Sequence, residues 1–166
     1  MAIRPEGTGD LSDKAVVWKE RRNVPEIPTP LVYRGQVYML ANGGILTTVE
    51  AKTGTVLYRS RVNAPGAYYA SPVAAGGKAV VTSSEGVITV LSAEPYFKIQ
   101  SNNDFGERIF GTPALVDSRI YVRSSSALWA LGGRRRQPFG DPARWPASRQ
   151  KSVHSEGHVA RQRAAG

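Results

Sequence analysis

Thr29-Pro30-Leu31-Val32-Tyr33-Arg34-Gly35-Gln36-Val37-Tyr38-Met39-Leu40 is the stretch whose reading decides the fold, because the chain repeats it twice. It returns as Ser71-Pro72-Val73-Ala74-Ala75-Gly76-Gly77-Lys78-Ala79-Val80-Val81-Thr82 and again as Thr112-Pro113-Ala114-Leu115-Val116-Asp117-Ser118-Arg119-Ile120-Tyr121-Val122-Arg123. The intervals between the hydroxyl-Pro pairs are 42 and 41 residues. Each copy has a short apolar run, a turn and a second β-rich run, the pattern of a hairpin. A third run follows each: Ile45 to Ala51 and Val87 to Ala93 after Gly44 and Gly86, and Ala127 to Leu131 after a loop one residue shorter. Fourth strands are expected at Thr55 to Val62, after the turn Lys52-Thr53-Gly54, and at Tyr96 to Gln100, after Glu94-Pro95.

Four short strands per unit of about 40 residues, without helical periodicity, are the signature of a β-propeller blade. A sandwich would not impose this period, and a helical solenoid would need 3.6-residue patterning. The expected fold is therefore all-β: a partial β-propeller of four-stranded antiparallel blades, about three in number, followed by a disordered basic tail. Residues 1–14 form an N-terminal extension. Residues 15–132 form the propeller, with an orphan outer strand at 15–22, blades at 29–62 and 71–100, and an incomplete blade at 112–132 that lacks its fourth strand. Residues 133–166 form the tail.

The charge distribution supports that boundary. Of 22 Lys and Arg and 13 Asp and Glu, the stretch from Arg134 to Gly166 holds eight and two, so it carries +6 of the +9 net charge. Apolar periodicity ends there, and such a segment cannot offset the entropy of ordering it. Aromatics for base stacking are confined to Phe139 and Trp145 in the tail, so it reads as a dispensable or out-of-frame extension and not as a specific nucleic-acid binder.

Other totals exclude chemistry. No Cys is present, which removes disulfides, thiolate metal sites and thiol nucleophiles. Both histidines, His154 and His158, lie in the tail, and their spacing with Glu156 between them is not that of a zinc protease. The body cannot assemble a Ser-His-Asp site from its own residues. No apolar run approaches the ~20 residues that span a bilayer, and the first residues have no secretory h-region. Catalytic and metal-binding residues are therefore not assigned. The acidic and amide group Asn102-Asn103-Asp104 with Glu107-Arg108 is expected on a solvated loop into the third unit, too small to supply the 6–8 ligands of calcium.

Several of these pieces resemble the PQQ-like (quinoprotein-type) β-propeller repeat family. They are Ser71-Pro72-Val73 with Gly77, Glu85-Gly86-Val87-Ile88-Thr89-Val90-Leu91, and Ala51-Lys52-Thr53-Gly54-Thr55-Val56-Leu57-Tyr58. The last is similar to the family's Ala-x-x-Thr-Gly-x-x-x-Trp docking motif, with Tyr58 in the Trp place and Trp18 matching it in the preceding blade. The resemblance implies that Trp18, Thr53, Gly54 and Tyr58 are inter-blade docking residues, structural and not ligand contacts. Unit two departs from the motif, with Glu94-Pro95-Tyr96-Phe97 in its place.

The family's dehydrogenases hold PQQ with an adjacent cysteine pair and a calcium. No residue here matches those ligands, so no cofactor is expected and PQQ enters by family name alone. Other members, including outer-membrane assembly lipoproteins, share the blades without the quinone. The implied function is a non-catalytic binding or scaffold module, a fragment of a larger exported bacterial protein; the alternative is a fragment of a PQQ-dependent dehydrogenase. Tyr68 and Tyr69, at the lead-in to the second blade, are the candidate binding residues at the channel mouth. The expected partners are a protein or peptide, or missing blades of the same propeller, with self-association through open sheet edges. Relatives of this family usually act outside the cytoplasm.

Overall fold

The computed structural model describes residues 1–4 and 15–132, and the backbone of 159–163. Every regular element among them is a strand. The first blade is β3 (Leu31–Tyr33), β4 (Gln36–Leu40), β5 (Ile45–Glu50) and β6 (Val56–Arg61). The second is β7 (Val73–Ala75), β8 (Lys78–Thr82), β9 (Val87–Ser92) and β10 (Ile99–Asp104). The third is β11 (Ala114–Val116), β12 (Arg119–Arg123), β13 (Ala127–Leu131) and β14 (Val159–Arg163). Each is an antiparallel four-stranded meander. Ahead of them, β1 (Ala2–Ile3) pairs with β2 (Val16–Trp18).

The blades are short because turns interrupt them at fixed places. Arg34-Gly35, Gly76-Gly77 and Asp117-Ser118 all have positive φ, the geometry of a two-residue hairpin connection. The first strands β3, β7 and β11 approach one another, which places the propeller axis on that side. There the repeated hydroxyls join the blades. The Thr29 N–H donates to Ser71 Oγ at 2.9 Å, and the Ser71 N–H donates to Thr112 Oγ1 at 3.0 Å. The 42- and 41-residue spacing of the sequence is thus a physical ladder running from blade to blade.

Alternate residues of each strand point to opposite neighbours, as the period of two requires. Blade one turns Tyr38, Leu40 and Leu46 toward blade two, where they pack with Ala79, Val81, Leu91 and the buried Tyr68. Blade two turns Val80 and Ile88 toward Ile109 and Val122 of blade three. On its other side, blade one packs Val37, Met39 and Val49 beneath Trp18. The protein has one apolar layer at each joint and no single central core.

Three expectations need correction. The fourth strand of blade two is Ile99–Asp104, not Tyr96 to Gln100, and Asn102, Asn103 and Asp104 lie in it and not on a loop. Pro95 has no N–H to give a ladder, and pairing resumes with the Ser92 N–H donating to the Lys98 carbonyl. An outer strand needs only backbone partners on one side, so polar residues serve. Thr89 Oγ1 and Asn102 Oδ1 are 2.8 Å apart, and Asn103 Nδ2 donates to the Ile88 carbonyl. Second, the strand expected at 15–22 is Val16–Trp18 and is not wholly alone: Ala2–Ile3 of the expected extension pairs with it, and no other strand of that sheet lies among the described residues.

Third, blade three has a fourth strand. The backbone of Val159–Arg163 runs antiparallel to β13, from Ala127↔Arg163 to Leu131↔Val159. The reason is the unpaired row of N–H and C=O groups that β13 would otherwise present. The rest of the expected tail, including both histidines, lies outside the described residues.

Candidate functional site

The residues of the expected docking motif come first. The Trp18 ring lies on the turn after β5, and its Nε1–H donates to the Ala51 carbonyl at 2.9 Å. A Cβ on Gly54 would stand 2.5 Å from Trp18 Cγ, and φ at Gly54 is +75°, so both sterics and conformation ask for glycine. Thr53 shapes that turn, its hydroxyl 2.5 Å from Glu50 Oε2 and accepting the Thr55 N–H at 3.2 Å. Glu20, just past Trp18, pairs with Arg59 at 2.8 Å. The backbone N–H groups of Arg22 and Arg21, together with Arg59, hold the Glu20 carboxyl below its usual pKa against the opposing effect of burial.

Tyr58 occupies the corresponding place at the next joint. Its ring meets Phe97 edge-on, 5.7 Å between centroids. A phenol has no indole N–H to offer, and the Ala93 carbonyl, which corresponds to that of Ala51, instead accepts from Gln36 Nε2 at 3.3 Å. The sequence departure in unit two is met by a substitute contact at the same carbonyl. Burial raises the Tyr58 and Tyr68 phenols and pushes Tyr38 up to about 12, so none of the three offers an acid or base near neutrality.

The loops that lead into each blade cross the turns between second and third strands of the blades on either side. The Tyr68 N–H donates to Asn42, the Ser84 N–H to the Ala67 carbonyl, the Ile109 N–H to the Ser84 carbonyl, and the Ser125 N–H to the Arg108 carbonyl. These bonds bring the lead-in loops of blades two and three together with the turns between second and third strands. Tyr68, expected to be available there, is 1% exposed and belongs to the joint between blades one and two. Tyr69 is 37% exposed, and its ring lies 5.8 Å from that of Phe110, which is 53% exposed.

Tyr69 stands two residues before Ser71, and Phe110 two before Thr112. The same position before Thr29 is Ile27, also exposed. Each repeat therefore has one exposed large apolar side chain two residues before its hydroxyl-Pro pair. Sequence reasoning singled out Tyr69 and did not single out Phe110 or Ile27, which are exposed at the same place. The signal was their fixed place relative to the hydroxyl-Pro pair, which residue-type searches do not see. Charged groups on the same connections are Glu85 and Arg108, 3.9 Å apart, and Arg61, whose Nη1 donates to the Gly43 carbonyl.

The exposed side chains of this surface, Tyr69 and Phe110, are aromatic. Among the described residues no three His, Cys, Asp or Glu side chains converge. The donors required for a calcium-supported quinone are not brought together by them, so the residues do not fit that group. Among the described residues no helix is long and apolar enough to cross a membrane.

Over residues 9–163 the sequence matches the PQQ-repeat family described as outer membrane protein assembly factor BamB. The match runs beyond Gly132 and takes in β14. The structure is similar to BamB from Moraxella catarrhalis, with a TM-score of 0.52 and 20% identity over 62% of this chain and 32% of that one. It is also similar to a europium-containing methanol dehydrogenase, at 0.50 and 18% over 62% of this chain and 22% of the other. A third likeness is to the quinohemoprotein alcohol dehydrogenase ADHIIG from Pseudomonas putida HK5, at 0.53 and 14% over 69% and 19%. At these identities the likeness is one of fold, and the chain spans a third or less of the length of each. No curated protein sequence matches the chain.

Proposed function

The chain belongs to the PQQ-repeat family of the outer membrane protein assembly factor BamB, and from that premise we propose that it is a non-catalytic binding module for a protein or peptide partner outside the cytoplasm. The observation that carries this reading is the exposed aromatic pair Tyr69 and Phe110, their rings 5.8 Å apart, on lead-in loops whose neighbouring residues are held by backbone hydrogen bonds. Exposed aromatics on a rigid support give large contact area at small entropic cost, the usual make-up of a protein-recognition surface. The likeness to BamB supports the reading because that protein is an assembly factor by its description. Among the described residues no three His, Cys, Asp or Glu side chains converge that would favour the dehydrogenase reading.

The test is site-specific photo-cross-linking in the bacterial cell envelope. A photo-reactive residue at Tyr69 or Phe110 should trap a discrete protein adduct. The same residue at Tyr96, which is equally exposed but sits on the turn between third and fourth strands, should not. Absence of an adduct at positions 69 and 110, or an equal one at 96, refutes the reading.

A further inference from the structure

The chain has five asparagines, and one of them, Asn42, is followed by glycine. The others precede Val24, Ala64, Asn103 and Asp104. The distinction is chemical. A backbone nitrogen can attack the side-chain carbon of a preceding asparagine. A side chain on the attacking residue shields that nitrogen and restricts its peptide, and glycine does neither.

The structure leaves the Asn42–Gly43 pair free to react. These are the two central residues of the turn from β4 to β5, closed by the Gly44 N–H donating to the Ala41 carbonyl at 2.9 Å. Gly43 is exposed, and a Cβ built on it would find nothing within 4 Å. Among the described residues its N–H donates to no group, and neither does Asn42 Nδ2. Asn102 and Asn103, by contrast, are held in β10 by side-chain contacts to Thr89 and the Ile88 carbonyl.

The oxygens of Asn42 are held where the nitrogens are not. Oδ1 accepts the Tyr68 N–H at 3.2 Å, and the same N–H reaches the Asn42 backbone carbonyl at 3.1 Å. This donor is fixed, because the Tyr68 ring is buried in the joint against Gly44. Two consequences follow from the shared donor. Oδ1 is the atom on which negative charge collects when Cγ is attacked, and a rigid N–H aimed at it stabilises that charge. The Asn42–Gly43 peptide can also turn its nitrogen toward Cγ at little cost. Its carbonyl then gives up the Tyr68 N–H, which Oδ1 still satisfies.

We infer that Asn42 is a site of spontaneous deamidation that reacts within the folded protein. The Gly43 nitrogen loses its proton to solvent hydroxide and bonds to Asn42 Cγ. The Cγ–Nδ2 bond breaks, and Nδ2 leaves as ammonia with a proton from water. The product is a five-membered succinimide, which water then opens. Cleavage of the bond from Cγ to nitrogen gives aspartate, and cleavage of the original peptide bond gives isoaspartate, whose main chain runs through Cβ and Cγ. One water is consumed and one ammonia released, with no oxidant or reductant.

Either product places a carboxylate in the turn whose Gly43 carbonyl accepts from Arg61 Nη1 at 2.6 Å. Aspartate keeps an oxygen for the Tyr68 N–H. Isoaspartate adds one carbon to the main chain between Ala41 and Gly43, so the turn and the Tyr68 crossing no longer fit together. The modification therefore loosens the joint between blades one and two. It does not depend on what the neighbouring aromatic pair binds.

The test is peptide mapping by mass spectrometry, with methyltransferase labelling of isoaspartyl groups, on the full chain incubated at mildly alkaline pH. Residue 42 should gain roughly one mass unit, with isoaspartate in excess of aspartate, at a rate that rises in proportion to hydroxide. Gly43→Ala shields the nitrogen without meeting any neighbour, and should slow the reaction by about an order of magnitude. Gly86→Ala, whose Cβ would strike the Glu107 carbonyl and so raise the unfolded fraction, should react at the parent rate. The isoaspartyl fraction, separated by ion exchange, should unfold at lower urea than the parent, and Asn42→Asp should not.

Modification spread evenly over the five asparagines overturns the inference. So does a Gly43→Ala chain that reacts as fast as the parent, or a rate that climbs in Gly86→Ala, which would place the reaction in the unfolded chain. An isoaspartyl fraction as stable as the parent overturns the loosening of the joint.

Discussion

Replacing Gly86 by alanine tests how the blades are locked together. Gly86 sits between β8 and β9 at φ +93°, directly under the loop that leads into blade three. An added Cβ would stand 2.1 Å from the Glu107 carbonyl oxygen and 3.0 Å from its carbon. The obstacle is backbone, so no side-chain rotation relieves it. Alanine in this left-handed region costs about 1–2 kcal/mol. Driving the loop outward adds the ~1–3 kcal/mol typical of overpacking. It also strains the bonds from the Phe105 N–H to the Gly86 carbonyl and from the Ile109 N–H to the Ser84 carbonyl, 3.1 and 3.2 Å long.

The sum is about 2–5 kcal/mol, a large share of the ~5–15 kcal/mol that a domain has in total. With a urea dependence of about 2 kcal/mol per molar, the middle of the usual range, the unfolding midpoint should fall by roughly 1–2.5 M. Equilibrium urea unfolding followed by tryptophan fluorescence, at matched protein concentration, measures it. Gly43→Ala is the control, because nothing lies within 4 Å of its added Cβ and it should leave the midpoint in place. A Gly86→Ala midpoint equal to that of Gly43→Ala would show that the loop crossing is not a close-packed joint.

Trp18→Phe keeps a ring on the Gly54 turn but loses the indole donor to Ala51, and should cost about 1 kcal/mol; Trp18→Ala, losing the ring as well, should cost about twice that. Calorimetry that ranked the two equal would remove the hydrogen bond from the docking contact. Tyr38→Phe should be neutral or stabilising by up to ~1 kcal/mol, because the fully buried hydroxyl has no hydrogen-bond partner among the described residues and its desolvation is then avoided. A clear loss of stability would reveal a partner for that oxygen. Glu20 has a folded pKa below its unfolded one, so its contribution is present above the unfolded value of about 4.3 and is lost as pH falls through the folded value. Stability of Glu20→Gln should therefore converge on that of the parent as pH falls through this window; parallel curves would refute the linkage.

The blades were legible in the sequence wherever the signal was local. Hairpin turns, the alternating runs around them and the recurrence of the hydroxyl-Pro pair identify β3 to β9 and β11 to β13 nearly to the residue. Trp18, Thr53 and Gly54 were legible for the same reason, since a tight turn and an aromatic at fixed spacing form one motif. β10 was misplaced because its pairing depends on backbone edge chemistry that polar side chains do not advertise. β14 was invisible, as its partner β13 lies 28 residues away from it along the chain and its composition resembles its surroundings.

The axial face divides along the same line. That an aromatic pair precedes Ser71 is written in the sequence, but which tyrosine faces water is not. Tyr68 turns into the joint because Gly44 leaves room for its ring, with a Cβ there only 2.7 Å from Cε2. Tyr69 turns out to meet Phe110, 41 residues on. By itself the sequence determined a unit, its length and the order of its strands, because these follow from periodicity and turn chemistry within about 40 residues. Only the tertiary structure decided which side of each strand meets which neighbour, and so which hydroxyl accepts from which N–H and which apolar groups remain at the surface. Those choices depend on contacts between equivalent positions a whole repeat apart, and no single repeat contains them.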